Sequence, residues 1–138
     1  MFTGLFLYFY RIDQISKSMN KRIKSFGYAF QGIKAVISTE VNMQIHLAIS
    51  VLVIIFGYWF DISSAEWIAC LLCMAVVLGL EMMNTALETV VDLVSPEVHP
   101  LAGRAKDIAA GAVLLAAIIS VIVGLIVFLP KILVVMNT

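Results

Sequence analysis

The sequence predicts an all-α membrane protein, with three transmembrane helices preceded by an N-terminal amphipathic surface helix. Three observations predict it. Of 138 residues, 62% are apolar and 13% charged, whereas a soluble domain is about half apolar and a quarter charged. Mean hydropathy is +1.05, so there are too few polar residues to coat a water-soluble globule. Three apolar runs approach the roughly 20 residues that a helix needs to cross a bilayer. The length fits one domain. A net charge of zero gives no reason to expect a nucleic-acid partner.

The opening stretch, MFTGLFLYFY, is too short to span, and its charges follow it rather than precede it, against the order of a signal peptide. Residues 1–18 are therefore expected to be an apolar extension outside the fold, or a segment that dips into the interface. Met19-Asn20-Lys21-Arg22 reads as the expected true start. Over residues 21–39, Ile23, Phe26, Phe30, Ile33 and Ile37 recur at three- and four-residue steps, which is helical spacing. Lys21, Arg22, Lys24, Gln31 and Lys34 fall largely elsewhere. Such a helix lies in the membrane interface or packs on the bundle.

The spans are expected over residues 43–60, 65–93 and 108–128. The link 61–64 is short enough to make the first two a tight antiparallel hairpin. The stretch 95–103 carries Pro96, Pro100 and Gly103 and reads as a loop. Pro130 closely follows the last span. Cys70 and Cys73 have no neighbouring histidine; a zinc site needs four ligands, so they read as helix filler.

Six of the nine Lys and Arg residues precede the first span, and Arg104 and Lys106 lie in the second loop. The first loop has none, and only Lys131 sits at the far end. By the positive-inside rule the N-terminus and second loop face the cytoplasm.

The second span is not a plain anchor, because it contains Glu81, Asn84, Thr85, Glu88 and Asp92. At 100° per residue all five fall within about 60° of Glu81 on the helix surface. Met82, Met83, Ala86, Leu87 and Val90 occupy the other side. Glu81 lies about 22 Å along the axis from Glu66, at 1.5 Å per residue. In a hydrocarbon core of about 30 Å that is the cytoplasmic half. A carboxylate held so deep is costly and marks a functional site by default.

Glu40 begins the first span and Asp107 the third, so Glu40, Glu88, Asp92 and Asp107 form an expected ring at the cytoplasmic end, with Asn84 and Glu81 deeper. Hard oxygen ligands suit Mg²⁺, which keeps waters and bridges to phosphates. Lys106, Lys21 and Arg22 supply positive charge at the same level. Metal-binding acids beside phosphate-binding bases point to a nucleotide–metal complex, and phosphoryl transfer rests on positioning and electrostatics. A glutamate behind that ring has the position to take a proton from an attacking hydroxyl, which at that depth belongs to a lipid. Neither a Walker A motif nor GxGxxG occurs, so neither common phosphate loop is available.

Other readings stay open. The stripe also suits interhelical hydrogen bonding or a proton path. Glu40 also suits a helix-end charge, and Asp107 the positive end of the third helix's dipole. His99 and His46 alone read as a loop and an interfacial histidine.

Glu81-Met-Met-Asn84-Thr-Ala-Leu-Glu88, then Val-Val-Asp92, Ser95-Pro-Glu97-Val-His99-Pro and Gly103-Arg-Ala-Lys106-Asp107 resemble the signature of the small bacterial integral-membrane diacylglycerol kinase/undecaprenol kinase family. The resemblance covers residues 21–128. It implies an ATP- and Mg²⁺-dependent lipid kinase of the bacterial cytoplasmic (inner) membrane, a homotrimer whose sites are shared between protomers.

By position Glu81 matches the catalytic base, Glu40 and Glu88 the metal-binding pair, and Asn84 the polar residue near the transferred group. Lys106, Asp107, Glu97, Val98 and His99 match nucleotide contacts, as do Lys21 and Tyr28 from the surface helix. Glu81 and Ala110 match substrate contacts. An aromatic is usual where Val98 stands, and a serine in some members where Ala110 stands. The run Asn42-Met43-Gln44-Ile45-His46-Leu47 is closer to the undecaprenol-kinase branch. The small residues Ala109, Ala110, Gly111, Ala112, Ala116 and Ala117 allow close helix approach within or between chains.

The expected function is transfer of the γ-phosphoryl group of ATP to the hydroxyl of a membrane lipid, undecaprenol or diacylglycerol, at the cytoplasmic interface. The alternatives are a proton- or ion-conducting subunit, which would show flux without ATP, and a non-catalytic membrane scaffold.

Overall fold

In the computed structural model, the structure describes the backbone of residues 2–137 and the side chains of Met19 and of residues 21–137. The element order is α1 (Phe2–Thr39), α2 (Val41–Trp59), α3 (Ser64–Val94) and α4 (Pro100–Met136). No strand occurs among the described residues. The last three helices are each long and apolar enough to cross a membrane, so the fold class is the expected one. Residues 2–18 form the first part of α1; whether the segment 1–18 stands outside the fold turns on residue 1 and on side chains that lie outside the described residues.

The chain divides into two units, Met1–Ala35 and Val36–Thr138. In the first, α1 leaves Ile23, Phe26, Phe30 and Ile33 exposed, the uncovered apolar stripe of an amphipathic helix.

The second unit holds the three long helices. Glu40, in an extended conformation, ends α1 and is the N-cap of α2. Gln44 Nε2 reaches back to the carbonyl of Ile37 at 3.1 Å, satisfying one of the acceptors that a helix end leaves open. The hairpin turn closes by a Schellman arrangement. Ile62 N–H donates to Gly57 O (3.1 Å) and Asp61 N–H to Tyr58 O (3.4 Å), with Asp61 left-handed at φ 46°, as that motif requires at the residue after the cap. Helix α3 then opens with a capping box. Ser63 N–H donates to Glu66 Oε2 at 2.6 Å and Glu66 N–H to Ser63 Oγ at 3.4 Å.

At Gly57 of α2 the Trp67 indole of α3 packs directly on the backbone. A Cβ at that position would stand 2.6 Å from Trp67 Cη2 and 2.8 Å from Cζ2. Gly57→Ala must displace the indole, so we expect a loss of about 1–3 kcal/mol, as for other overpacked sites. The check is the thermal unfolding midpoint in detergent.

Two boundaries differ from the sequence reading. Helix α4 begins at Pro100, not near Ile108: His99 is its N-cap, accepting from Leu101 N–H through Nδ1 at 3.2 Å. Proline fits the first helical position, where its missing N–H costs nothing, so the loop shrinks to residues 95–99. Pro130 does not end the helix, which runs to Met136. It removes one backbone hydrogen bond, a loss that membrane helices tolerate.

Helices α3 and α4 are antiparallel, pack along one another and are pinned at both ends. Lys106 Nζ meets Asp92 Oδ1 at 2.8 Å and Lys131 Nζ meets Glu66 Oε1 at 3.4 Å. Helix α2 packs on α3 less extensively and does not pair with α4. Ile62, Cys70 and Val127 form the buried cluster at the hairpin end, with Trp67 and Phe128 against it. Cys70 is thus core, as expected, and both thiols are free. Further along, α2 and α4 leave an apolar cleft of about 240 Å³, lined by His46, Val53, Met74, Val77 and Val121 among others. Only 11–22% of the most apolar window of each spanning helix is buried within one chain. Most of that surface is left for lipid or other copies to cover.

Candidate active site

The site grows from the buried seam of α3. Cys70, Val77, Glu81 and Asn84 are its buried residues, at steps of seven, four and three, which keep one face of a helix turned inward. The seam starts apolar and becomes polar towards the C-terminal end of α3. Glu81 is 2% exposed and Asn84 9%. They are the buried polar side chains of the described residues, and buried charge needs partners.

Those partners come from α2 and the next turns of α3. The Asn42 side chain is within hydrogen-bonding reach of the Glu81 carboxylate, and His46, Glu40 and Glu88 are within electrostatic reach of it. One turn beyond Glu81, Asn84 Nδ2 donates to Glu88 Oε1 at 3.0 Å. Asn84 Oδ1 is buried with no hydrogen-bond partner among the described residues. An orphaned buried acceptor beside a carboxylate is expensive in an empty protein and suits a site completed by a cation or a donor. Glu40 is itself held by Thr39, whose Oγ1 donates to Oε1 at 2.8 Å.

The structure sorts the five-residue stripe. Glu81, Asn84 and Glu88 face the cluster. Thr85 donates its hydroxyl to its own helix, to Glu81 O at 3.0 Å, so it offers the site no free donor. Asp92 is turned to α4 and engages Lys106. The expected ring of four acids therefore does not close: no group of three or more His, Cys, Asp or Glu side chains poised for a metal occurs among the described residues. The acids of the deeper site are Glu40, Glu81 and Glu88.

Of the other expected contacts, Glu97, Val98 and His99 lie on the 95–99 loop and Lys106, Asp107 and Ala110 on the α4 helix that follows it. Ser95 Oγ donates to Glu97 O at 3.2 Å, and Val98 projects fully into the surroundings. His99 caps α4, which removes the capping alternative from Asp107, an exposed residue in the second turn of that helix. Ala110 is exposed on α4. Lys21 and Tyr28 are exposed on α1, in the other unit.

Two residues of the cluster escaped the sequence reading. Asn42 and His46 stand four apart at the start of an otherwise apolar span, so they share a face. That spacing was the available signal.

What this cluster can do follows from its chemistry. A carboxylate with almost no solvent contact, one helical turn beyond Val77 and Leu78 of the apolar cleft, has the chemistry to accept a proton from a hydroxyl brought to it. Two more carboxylates and an amide oxygen beside it are hard ligands for a divalent cation.

Comparison with known proteins places the same residues in context. The family model described as prokaryotic diacylglycerol kinase matches residues 27–128. The chain is 45% identical over 113 residues to the undecaprenol kinase of Bacillus subtilis (strain 168), covering 82% of this chain and 92% of that one. It is 44% identical over 110 residues to the diacylglycerol kinase of Synechocystis, covering 79% of this chain and 63% of that one. It is 33% identical over 100 residues to the diacylglycerol kinase of Escherichia coli K12, covering 72% and 82%.

Proposed function

This chain belongs to the prokaryotic diacylglycerol kinase family and is a membrane lipid kinase, and from that premise we propose that it transfers the γ-phosphoryl group of ATP to a lipid hydroxyl at the cytoplasmic face of the inner membrane. The observation that carries the reading is Glu81, a carboxylate 2% exposed on a membrane-spanning helix with acids and amides gathered around it.

In this mechanism the lipid hydroxyl reaches Glu81 from the bilayer side. Glu81 accepts its proton as the oxygen attacks the γ-phosphorus, and ADP leaves. Asn42 and His46 flank the carboxylate and hold it in place. Glu40 and Glu88 are the residues that would hold Mg²⁺, and the unpartnered Asn84 Oδ1 beside Glu88 fits the same role. The missing third carboxylate is no obstacle, since Mg²⁺ is held by one or two carboxylates together with waters and substrate phosphates. Bound there, the ion would neutralise charge on the transferring phosphate.

Lys106 and Asp107 on α4, Glu97, Val98 and His99 on the loop, and Lys21 and Tyr28 on α1 supply the nucleotide contacts in this proposal, and Ala110 faces the lipid. The Lys and Arg distribution supports a cytoplasmic N-terminus. The large apolar surface that one chain leaves uncovered supports an assembly, and we assign it as a homotrimer.

Between the two lipids, the similarity to a protein named undecaprenol kinase over 92% of its length favours undecaprenol. Purified protein given labelled ATP, Mg²⁺ and either undecaprenol or diacylglycerol in mixed micelles should phosphorylate undecaprenol with the higher kcat/KM. A preference for diacylglycerol would reverse the substrate assignment, and phosphorylation of neither would remove the proposal.

A further inference from the structure

Asp92 shares its helix face with the acids of the site, yet its carboxylate is turned away from them. Lys106 Nζ donates to Asp92 Oδ1 at 2.8 Å, joining the last turns of α3 to the second turn of α4 across the 95–99 loop. Both side chains are wet, 34% exposed for Lys106 and 67% for Asp92. A solvated ion pair adds little to stability. Nor does the loop depend on it, being tied by Ser95 Oγ to Glu97 O and by His99 to the start of α4. What the pair does change is the freedom of Lys106. A lysine is a point charge on a flexible four-carbon stem with three donors. Asp92 uses one donor and fixes the stem, leaving two.

We propose that Asp92 is a positioning residue for phosphoryl transfer, holding the Lys106 ammonium at the junction of α3 and α4 so that its remaining N–H groups meet the phosphates of the nucleotide. This rests on the reading of Lys106 as a nucleotide contact. The sign of the effect is diagnostic. Removing the Asp92 charge raises the local positive potential, which by itself would tighten ATP binding; removing the orientation weakens it.

The test measures KM for Mg–ATP and for lipid, with thermal unfolding, on the full chain in mixed micelles. Asp92→Asn should raise the KM for ATP about three- to fivefold, the range of an exposed ion pair, leaving the lipid KM and the unfolding midpoint unchanged. Asp92→Glu should recover most of the loss, and Asp92→Asn combined with Lys106→Met should be no worse than Lys106→Met alone. An unchanged or lower KM for ATP in Asp92→Asn, with Lys106→Met raising it, overturns the proposal and leaves the Lys106 reading intact. A parallel rise in both KM values with a lower unfolding midpoint also overturns it, making the pair a structural bracket. If Lys106→Met leaves the KM for ATP untouched, the underlying Lys106 reading fails, and the role of Asp92 with it.

Discussion

Replacing Glu81 by Gln should reduce lipid phosphorylation by about 10²–10⁴-fold, the range of a lost general base, while the protein folds as before. The substitution is nearly isosteric. The Gln amide can still meet Asn42, and a neutral side chain is cheaper than a carboxylate at this depth in a bilayer. The unfolding midpoint should therefore stay level or rise. That combination separates catalysis from architecture. If Glu81 served only to glue α3 to α2, the variant would lose stability and keep activity. If the stripe were a proton path, proton flux would be measurable without ATP. Turnover at the wild-type rate in purified Glu81→Gln protein would refute the assignment of the base.

Glu88→Gln should act differently. Its carboxylate accepts from Asn84 Nδ2 at 3.0 Å, and in the proposed site it is one of two acids on the metal. Loss of that charge should lower activity by about 10²-fold or more, comparable to loss of other transition-state electrostatics. Raised Mg²⁺ should recover part of it, because the remaining ligands still bind the ion, only more weakly. Titrating Mg²⁺ at saturating ATP and lipid checks this. A variant with reduced turnover and an unshifted Mg²⁺ dependence would take Glu88 out of the metal site. Lost activity that Mg²⁺ never restores in Glu81→Gln, beside partial recovery in Glu88→Gln, would set the two carboxylates in different roles.

Much of this was legible in the chain. Hydropathy alone is enough for the three spans, since each apolar run has the length a bilayer demands. The 3.6-residue period of Glu81, Asn84 and Glu88 is enough for the buried polar face. What the period does not specify is the partner. Thr85 and Asp92 fall on the same arc, yet one donates to its own helix and the other crosses to α4. An arc fixes the direction of a Cβ, and the side chain then takes the nearest complementary group. Asn42 and His46 were obscure for a related reason. Their relation to Glu81 spans about 40 residues of sequence and depends on the packing of α2 on α3, which a local period does not register. The prolines misled in both directions. Pro100 looked like part of a loop and opens α4, because the first turn of a helix has no use for its N–H. Pro130 looked like a stop and lies inside the same helix. The capping box of Ser63 and Glu66 was a sequence signature that the short link 61–64 concealed.

The ion pairs at opposite ends of α3 and α4 also report the register in which the two helices pack. Sliding one of these helices along the other by a single turn, about 5.4 Å, would break both bridges together, with nothing regained between the two rest positions. The register itself is held by the long packed face of α3 on α4, and the two bridges mark it at either end. Helix α2 has no such double fastening and packs on α3 less extensively, so the polar residues it carries, Asn42 and His46, reach Glu81 through the lesser of the two helix interfaces.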